Sequence, residues 1–474
     1  MMHSHRFMKS AALALSGLLL TACASFDQQQ GVARANRDVG EFAQGELLLA
    51  RSEAERQQQQ RVSAQLLGEP LGQTQAVQLM LANSPSFQAL MAQNWWEAAN
   101  AAQSGRIANP VFTFESVTKG SESELSRFFS FGLLDLLTLP QRSAMAERRI
   151  EQAQLRLASD IVERVTQVRQ AWVRAVAASQ SFSYAQQVYD SAQVSAELAR
   201  RMEAVGNFNR LTRARHQAFY ADAATQLVLA RQSQLARREE LVRLLGLDSE
   251  QARLLRLPER LPALPRQAMS EQEVGQQLGG QRLDIQLARA TLDAAARAQG
   301  LVGITSRIDI ELKAIEGSSS GAGGELTRSR GYEIGLRLPI FDWGSMQRDA
   351  MSAQTLAAAN ALEATVRAAG SGVRESYSAY RAAYEISRHY KDEVIPLRQV
   401  MAEENILRYN GMIIGVFELL ADARDQVSAV ISAISADQQF WLADATLRAN
   451  LIGRPMAAGM AALAATPSAA PAGH

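Results

Sequence analysis

The chain has 474 residues, and its 49 Lys and Arg side chains almost balance 48 Asp and Glu, for a formal net charge of +1. This balance provides neither the basic surface of a nucleic-acid-binding protein nor an acidic tail, so nucleic acid is excluded as the expected partner. With only 12 prolines and long stretches rich in Ala, Gln, Arg and Glu, the composition predicts a few very long helices of coiled-coil type.

The first residues have the layout of a secretory signal. Arg6 and Lys9 precede an apolar run of about ten residues, from Ala11 to Leu20, which is too short to cross a bilayer as a helix. The next residues, Thr-Ala-Cys, complete a sequence similar to the lipobox of bacterial lipoproteins. We therefore expect a signal peptide at 1–22 and a covalent lipid, such as palmitate, on Cys23, the only cysteine of the chain. The alternative is a plain signal peptide with a coincidental cysteine.

Residues 23–72 are polar and rich in Gln, which predicts a lipid-anchored tether rather than a domain. Ala24 and Ser25 follow the cysteine directly. In the lipoprotein pattern an Asp at this point favours retention in the inner membrane, so its absence indicates the outer membrane.

From residue 73 the sequence contains a duplication with a spacing of about two hundred residues, far above the period of solenoid repeats. Each half has a helix of about thirty residues, a β-like stretch that ends in Leu-Pro, and two long helices separated near a glycine. The Leu-Pro pairs are Leu139-Pro140 and Leu338-Pro339, and the glycines are Gly206 and Gly411. We predict repeats at 73–254 and 270–454, an inter-repeat linker at 255–269 and a disordered Ala- and Pro-rich tail at 455–474.

The β-like stretches predict two hairpins. In the first, Val111 to Lys119 and Phe128 to Leu137 alternate imperfectly. In the second, apolar residues alternate strictly with charged or small residues before and after a Gly- and Ser-rich loop. These apolar residues are Ile308, Ile310, Leu312, Ala314, Tyr332, Ile334, Leu336 and Leu338. The pattern fits a transmembrane barrel strand and a soluble amphipathic hairpin about equally; the secretion and lipidation signals favour the membrane.

Four strands cannot close a barrel in lipid, where unpaired strand edges are not tolerated. Three copies would supply twelve strands, so the strands predict a homotrimer. The stretch from Ser143 to Val205 contains neither proline nor glycine and predicts a helix of roughly 90 Å. A periplasmic coiled coil without a pore is the structural alternative.

No sequence motif indicates catalysis: a phosphate-binding loop, a nucleophile elbow and a plausible carboxylate pair are all missing. The five histidines have no helical pairing that would bind a metal ion. We therefore expect no enzyme activity, no metal site and no cofactor apart from the lipid on Cys23.

The ordered features, which occur twice, resemble the TolC family of outer-membrane factors, and four segments carry the resemblance. They are NSPSFQA at Asn83–Ala89, QRLDIQLA at Gln281–Ala288, YEIGLRLPIFDWGSMQRD at Tyr332–Asp349 and YNGMIIGVFELLADARDQV at Tyr409–Val427. The resemblance covers about residues 72 to 453. It departs from the family at Leu283, where the family has proline, and at the end of the first hairpin, which lacks the Phe and Gly of the family junction.

The resemblance implies a mainly α fold with a small β part. The duplicated protomer would contribute four strands to a trimeric 12-stranded transmembrane β-barrel and long coiled-coil helices to a periplasmic α-helical tunnel. It further implies an exit duct in the cell outer membrane that works with a periplasmic adaptor (membrane fusion) protein and an inner-membrane pump. Drug, metal ion and protein substrates all stay open. The alternative function is a non-conducting structural lipoprotein.

The resemblance also implies functional positions at the periplasmic tip. Gly206 and Gly411 would form the turns at which the adaptor docks. Glu418 and Asp422 stand where the family carries acidic side chains that constrict the tunnel, and their spacing places them on one helical face. Three copies would bring six carboxylates together; the alternative is that both are solvated surface acids.

Overall fold

The structure is a computed structural model that describes residues 28–120, 122–278, 282–306, 309–320, 326–337 and 340–455. The predicted signal peptide, Cys23, the Leu338-Pro339 pair and the tail from residue 456 lie outside these residues. The described chain forms two compact units. The first contains Ala92–Leu157 and Asp284–Val366, and the second contains Val32–Met91, Ala158–Leu283 and the chain from Arg367 onwards.

The segment predicted to be a tether forms two helices, α1 (Gln28–Ala43) and α2 (Glu53–Leu66). Helix α1 buries an apolar stripe with four-residue spacing, Ala35, Val39 and Ala43. The Asn36 side chain makes two hydrogen bonds with the backbone of Leu47, of 3.1 and 2.9 Å. The polar, Gln-rich composition therefore hides a packed face, and residues 32–72 of this segment belong to the second unit.

The first repeat contains α3 (Gln73–Asn83), α4 (Pro85–Ser104), β1 (Val111–Lys119), β2 (Glu122–Gly132), α5 (Leu133–Leu137), α6 (Leu139–Ala204), α7 (Arg210–Leu245) and α8 (Ser249–Leu254). The predicted second strand, Phe128 to Leu137, was wrong at both ends. The strand begins at Glu122 because it pairs along β1 to the end of the hairpin. It ends at Gly132 because the next residues form a helical turn, in which Asp135 accepts a 2.9 Å hydrogen bond from Arg142.

The second repeat contains α9 (Glu271–Leu278), α10 (Leu283–Thr305), β3 (Asp309–Ser320), β4 (Leu326–Arg337), α11 (Ser345–His389), α12 (Ile395–Asn410) and α13 (Val416–Ile452). A π-helical turn, Tyr390–Val394, joins α11 to α12. It ends two residues before Pro396, which has no N–H to donate to the preceding turn. None of the helices in the described parts of the chain is both long and apolar enough to cross a membrane.

The four strands form one antiparallel sheet in the order β1-β2-β3-β4. The two predicted hairpins are confirmed, and β2 pairs with β3 along ten residues, which joins the hairpins of the two repeats. Strands β1 and β4 are the edges of the sheet within the chain. A mainly helical chain with one small four-stranded sheet is therefore the observed fold class.

The inter-repeat linker is fixed to the second unit by aromatic side chains. The Tyr384 hydroxyl donates to the carbonyl oxygens of Pro265 and Arg266 at 3.2 and 3.1 Å, and the Trp441 indole donates to that of Pro262 at 3.2 Å. Tyr384 packs with Phe440 in the buried core of this unit, with ring centres 5.8 Å apart. Proline removes backbone donors from the linker, and the aromatic donors satisfy its carbonyl groups instead.

Candidate functional site: an amphipathic sheet and two helical turns

The register of the sheet places apolar side chains on one face, because directly paired residues lie on the same side. Three adjacent rows near the helical end of the sheet are entirely apolar. These rows are Ile310 with Leu336, Phe131 with Leu312 and Ile334, and Phe112 with Phe129, Ala314 and Tyr332. In the single chain Tyr332 is 79% and Phe112 62% exposed, although such side chains are normally buried in a soluble protein. We call this surface the apolar face.

The opposite face, which we call the polar face, carries most of the acidic side chains of the sheet. Its charged residues include Glu115, Lys119, Glu122, Glu124, Glu311, Lys313 and Glu333. Lys313 forms a 3.4 Å ion pair with Glu333 across β3 and β4, and its ammonium lies 4.3 Å from the centre of the Phe128 ring. The predicted alternation in the second hairpin is confirmed from Ile310 to Ala314 and from Tyr332 to Leu336, and the first hairpin continues it; Ile308 and Leu338 lie outside the described residues. One sheet thus separates an apolar from a charged surface.

The two helical hairpins turn with the same backbone geometry. After α6, Gly206 adopts a left-handed conformation with φ +80, and Asn207 N–H donates to Met202 O at 2.9 Å. After α12, Met412 is left-handed with φ +57, and Ile413 N–H donates to Arg408 O at 2.9 Å. Met412 is therefore the counterpart of Gly206 in the second repeat. Gly411, with φ −79, lies one position earlier and has ordinary backbone geometry.

The two predicted constriction residues differ in environment. Glu418 lies in the first turn of α13 and is exposed, whereas Asp422 is buried and only 9% exposed. Their spacing places them one turn apart on the same side of the helix. In the single chain, however, Glu418 is more exposed to solvent than Asp422. Whether the two residues constrict a tunnel stays a prediction.

His216 is a buried titratable residue that the sequence interpretation left without a role. It is the seventh residue of α7, as Asp422 is the seventh of α13, and it is 7% exposed. Its Nδ1 lies 2.7 Å from Ser195 Oγ on α6, its ring stacks on Phe208, and its Nε2 is buried without a hydrogen-bond partner. Burial lowers the pKa of His216. The comparison of equivalent positions in the two repeats could have identified it from the sequence.

Exposed ion pairs connect α13 to its neighbours near these positions. The Arg424 guanidinium of α13 lies 3.4 Å from the Asp222 carboxylate of α7. The Arg398 guanidinium of α12 lies 3.3 Å from the Asp425 carboxylate of α13. Exposed pairs of this kind contribute at most about 1 kcal/mol each. They are weak enough to exchange partners if the two hairpins move.

Cys23 lies outside the described residues, so its lipidation stays a prediction. Within the described parts of the chain, no three His, Cys, Asp or Glu side chains come together in a group that could hold a metal ion.

No protein-family model and no curated protein sequence matches the chain. Solved structures do match. A membrane protein from Pseudomonas aeruginosa has a TM-score of 0.67 at 18% identity and covers 84% of this chain and 94% of its own. The MtrE outer-membrane channel of Neisseria gonorrhoeae, in its open state, has a TM-score of 0.65 at 19% identity, covering 84% of this chain and 90% of its own.

The CmeC outer-membrane channel of Campylobacter jejuni also matches, with a TM-score of 0.65 at 14% identity over 84% of this chain and 86% of its own. At such low identity the likeness establishes the fold. The chain therefore has the fold that its sequence motifs indicated, that of the TolC family of outer-membrane efflux channels.

Proposed function

We propose that the chain is the outer-membrane exit channel of a tripartite efflux or secretion system and carries substrates from the periplasm to the outside. The observation that carries the proposal is the amphipathic four-stranded sheet. An exposed apolar face with Phe112, Phe129, Tyr332 and Ile334 is unfavourable in water but suits lipid, while the charged polar face suits a wet lumen. The shared fold with outer-membrane channels supports the same role.

The proposed channel is a homotrimer. The sheet has two edges, β1 and β4, whose backbone groups need partners if the strands lie in lipid. Three copies joined edge to edge would supply twelve strands, a size that leaves an open lumen. In mild detergent we expect a trimer that dissociates on heating; a monodisperse monomer would contradict this part of the proposal.

The proposed anchor is a lipid on Cys23, with the chain extending into the periplasm. Mass spectrometry of the mature protein should give an N-terminal lipidated Cys23, and Cys23→Ser should abolish the added mass. An unmodified N-terminus at another residue would contradict the anchor without affecting the channel.

The proposed partners are a periplasmic adaptor protein and an inner-membrane pump, with the adaptor at the turns around Gly206 and Gly411. In this role the chain catalyses no reaction and needs no cofactor. The pump would select the cargo, so drugs, metal ions and proteins are all compatible with the channel.

Planar-bilayer recording tests the central claim with matched variants of one strand. The full-length protein should insert and give discrete conductance steps. Ile334→Asp places a charge on the apolar face and should reduce the frequency of insertion, whereas Glu333→Asp on the polar face of β4 should leave it unchanged. If the folded wild-type protein never conducts, the alternative of a non-conducting structural lipoprotein is favoured.

A further inference from the structure

Three arginines lie on the apolar face just beyond the apolar rows, toward the hairpin turns. The register pairs Arg127 with Glu316 and Glu316 with Arg330, and it places Arg328 one row further along β4. Consecutive rows are separated by about 7 Å along the strand. Arg330 forms a 3.3 Å ion pair with Glu316, and the three arginines with this one glutamate carry a net charge of +2. We call the three residues the arginine rows.

The position of these charges is informative if the apolar face contacts lipid, a premise that rests on the proposed function. An arginine on the lipid-facing surface of a barrel costs about 2–4 kcal/mol at the bilayer midplane but only about 0–1 kcal/mol near the interface. The arginine rows are therefore expected at a membrane boundary. Because the strands connect to the helices at their other end, this boundary lies on the side of the hairpin turns, away from the periplasmic helices.

We propose that the arginine rows bind the phosphate groups of lipid headgroups in the outer leaflet. A guanidinium pairs with phosphate through two parallel hydrogen bonds and stays charged at all physiological pH values. The side chain of Arg330 is 79% exposed, and Arg127 and Arg328 are exposed as well. Among the residues named above for the polar face, five glutamates stand against two lysines, so an excess of positive charge lies on the lipid-facing side.

The test measures lipid binding by the assembled full-length protein in a neutral detergent with native mass spectrometry. The probe is a glycolipid with two phosphates, compared with phosphatidylcholine and with inorganic phosphate as a competitor. Arg328→Gln should weaken retention of the phosphorylated lipid about fivefold, and Arg127→Gln with Arg328→Gln and Arg330→Gln should weaken it further. Lys119→Gln removes one positive charge from the polar face and should have no effect.

Equal retention by the triple variant and the wild type would overturn the proposal, as would an equal loss in Lys119→Gln. Retention of phosphatidylcholine as strong as that of the phosphorylated lipid would show a purely apolar contact, and would also overturn it. If millimolar inorganic phosphate displaces the lipid completely, the site is an ion site and not a lipid site. The triple variant should still conduct in planar bilayers. Conduction without lipid selectivity would refute this inference alone, whereas a wild-type protein that does not conduct would refute the proposed function.

Discussion

Mild acid should loosen the turn between α6 and α7 through protonation of His216. The imidazole is neutral in its buried site because Nε2 has no partner there, and Nδ1 already contacts Ser195 Oγ at 2.7 Å. A proton would leave a charged N–H group buried without an acceptor. The folded hairpin therefore disfavours the charged form, which agrees with the lowered pKa of His216.

The direction and the size of the pH effect on stability follow from the difference between the folded and unfolded pKa values of His216. In the unfolded chain the pKa of His216 has the ordinary value of about 6.5, and burial lowers it in the folded chain. The contribution of neutral His216 to the stability of the hairpin is fully present above pH 6.5 and is lost as the pH falls from 6.5 toward the folded pKa, since only the open form takes up the proton. The loss is at most about 1.4 kcal/mol per pH unit in this window, which is a tenfold change in the opening equilibrium.

Hydrogen exchange of the backbone amides around 195–216 provides the assay, with intrinsic rates corrected for pH. Between pH 7.5 and pH 5.5 the wild-type protein should lose up to about tenfold in protection at these amides. His216→Asn retains a group that can bond Ser195 but cannot take up the proton, so its protection should be independent of pH. His389→Asn is the matched control, because His389 is exposed and pairs with Glu393 at 3.3 Å. Equal pH dependence in His216→Asn and wild type would refute the reasoning.

Three further predictions concern the turns, the N-terminal helix and the predicted constriction. Met412→Gly should stabilise the second turn by about 1 kcal/mol, because a left-handed backbone is unfavourable for a residue with a side chain and the Met412 side chain, 94% exposed, packs little. Gly206→Ala should destabilise the first turn by a similar amount. Hydrogen exchange at each turn checks both, and unchanged protection in either variant would contradict the equivalence of the turns. Arg169→Leu removes the 2.6 Å hydrogen bond from the guanidinium to Phe42 O at the end of α1 and should weaken the packing of α1 on the chain by about 2–3 kcal/mol. Limited proteolysis should then cleave α1 faster. Cleavage as slow as in the wild type would show that other contacts hold α1. If Glu418 and Asp422 constrict the tunnel, Glu418→Ala with Asp422→Ala should reduce cation selectivity and raise conductance in planar bilayers. Glu418→Ala alone should produce most of this effect, because Asp422 is buried. No change in selectivity or conductance would show that neither residue constricts the tunnel.

Several features were predictable because they depend on local spacing. The alternation of apolar and polar residues in the second hairpin predicted its strands. The lack of proline and glycine from Ser143 to Val205 predicted the uninterrupted helix α6. The end of β2 was not predictable in the same way. Phe128 to Leu137 continues an apolar pattern, but the ion pair of Asp135 with Arg142 and the turn after Gly132 convert its last residues into a helix. These contacts join residues whose proximity no periodicity reveals.

The sequence by itself determined the duplicated order of helices and hairpins and the mainly helical class, because apolar periodicity, proline and glycine act within a few residues of the chain. Tertiary structure decided which residues of the two repeats correspond and which polar groups are buried. Gly206 corresponds to Met412 because the same backbone turn follows each helix, although a search for glycines selects Gly411. The N-terminal helix α1 packs through its buried apolar stripe, and Arg169 binds the carbonyl oxygen of Phe42 at its end from more than a hundred residues away. Such contacts depend on the packing of distant segments, and only the folded chain brings these residues together.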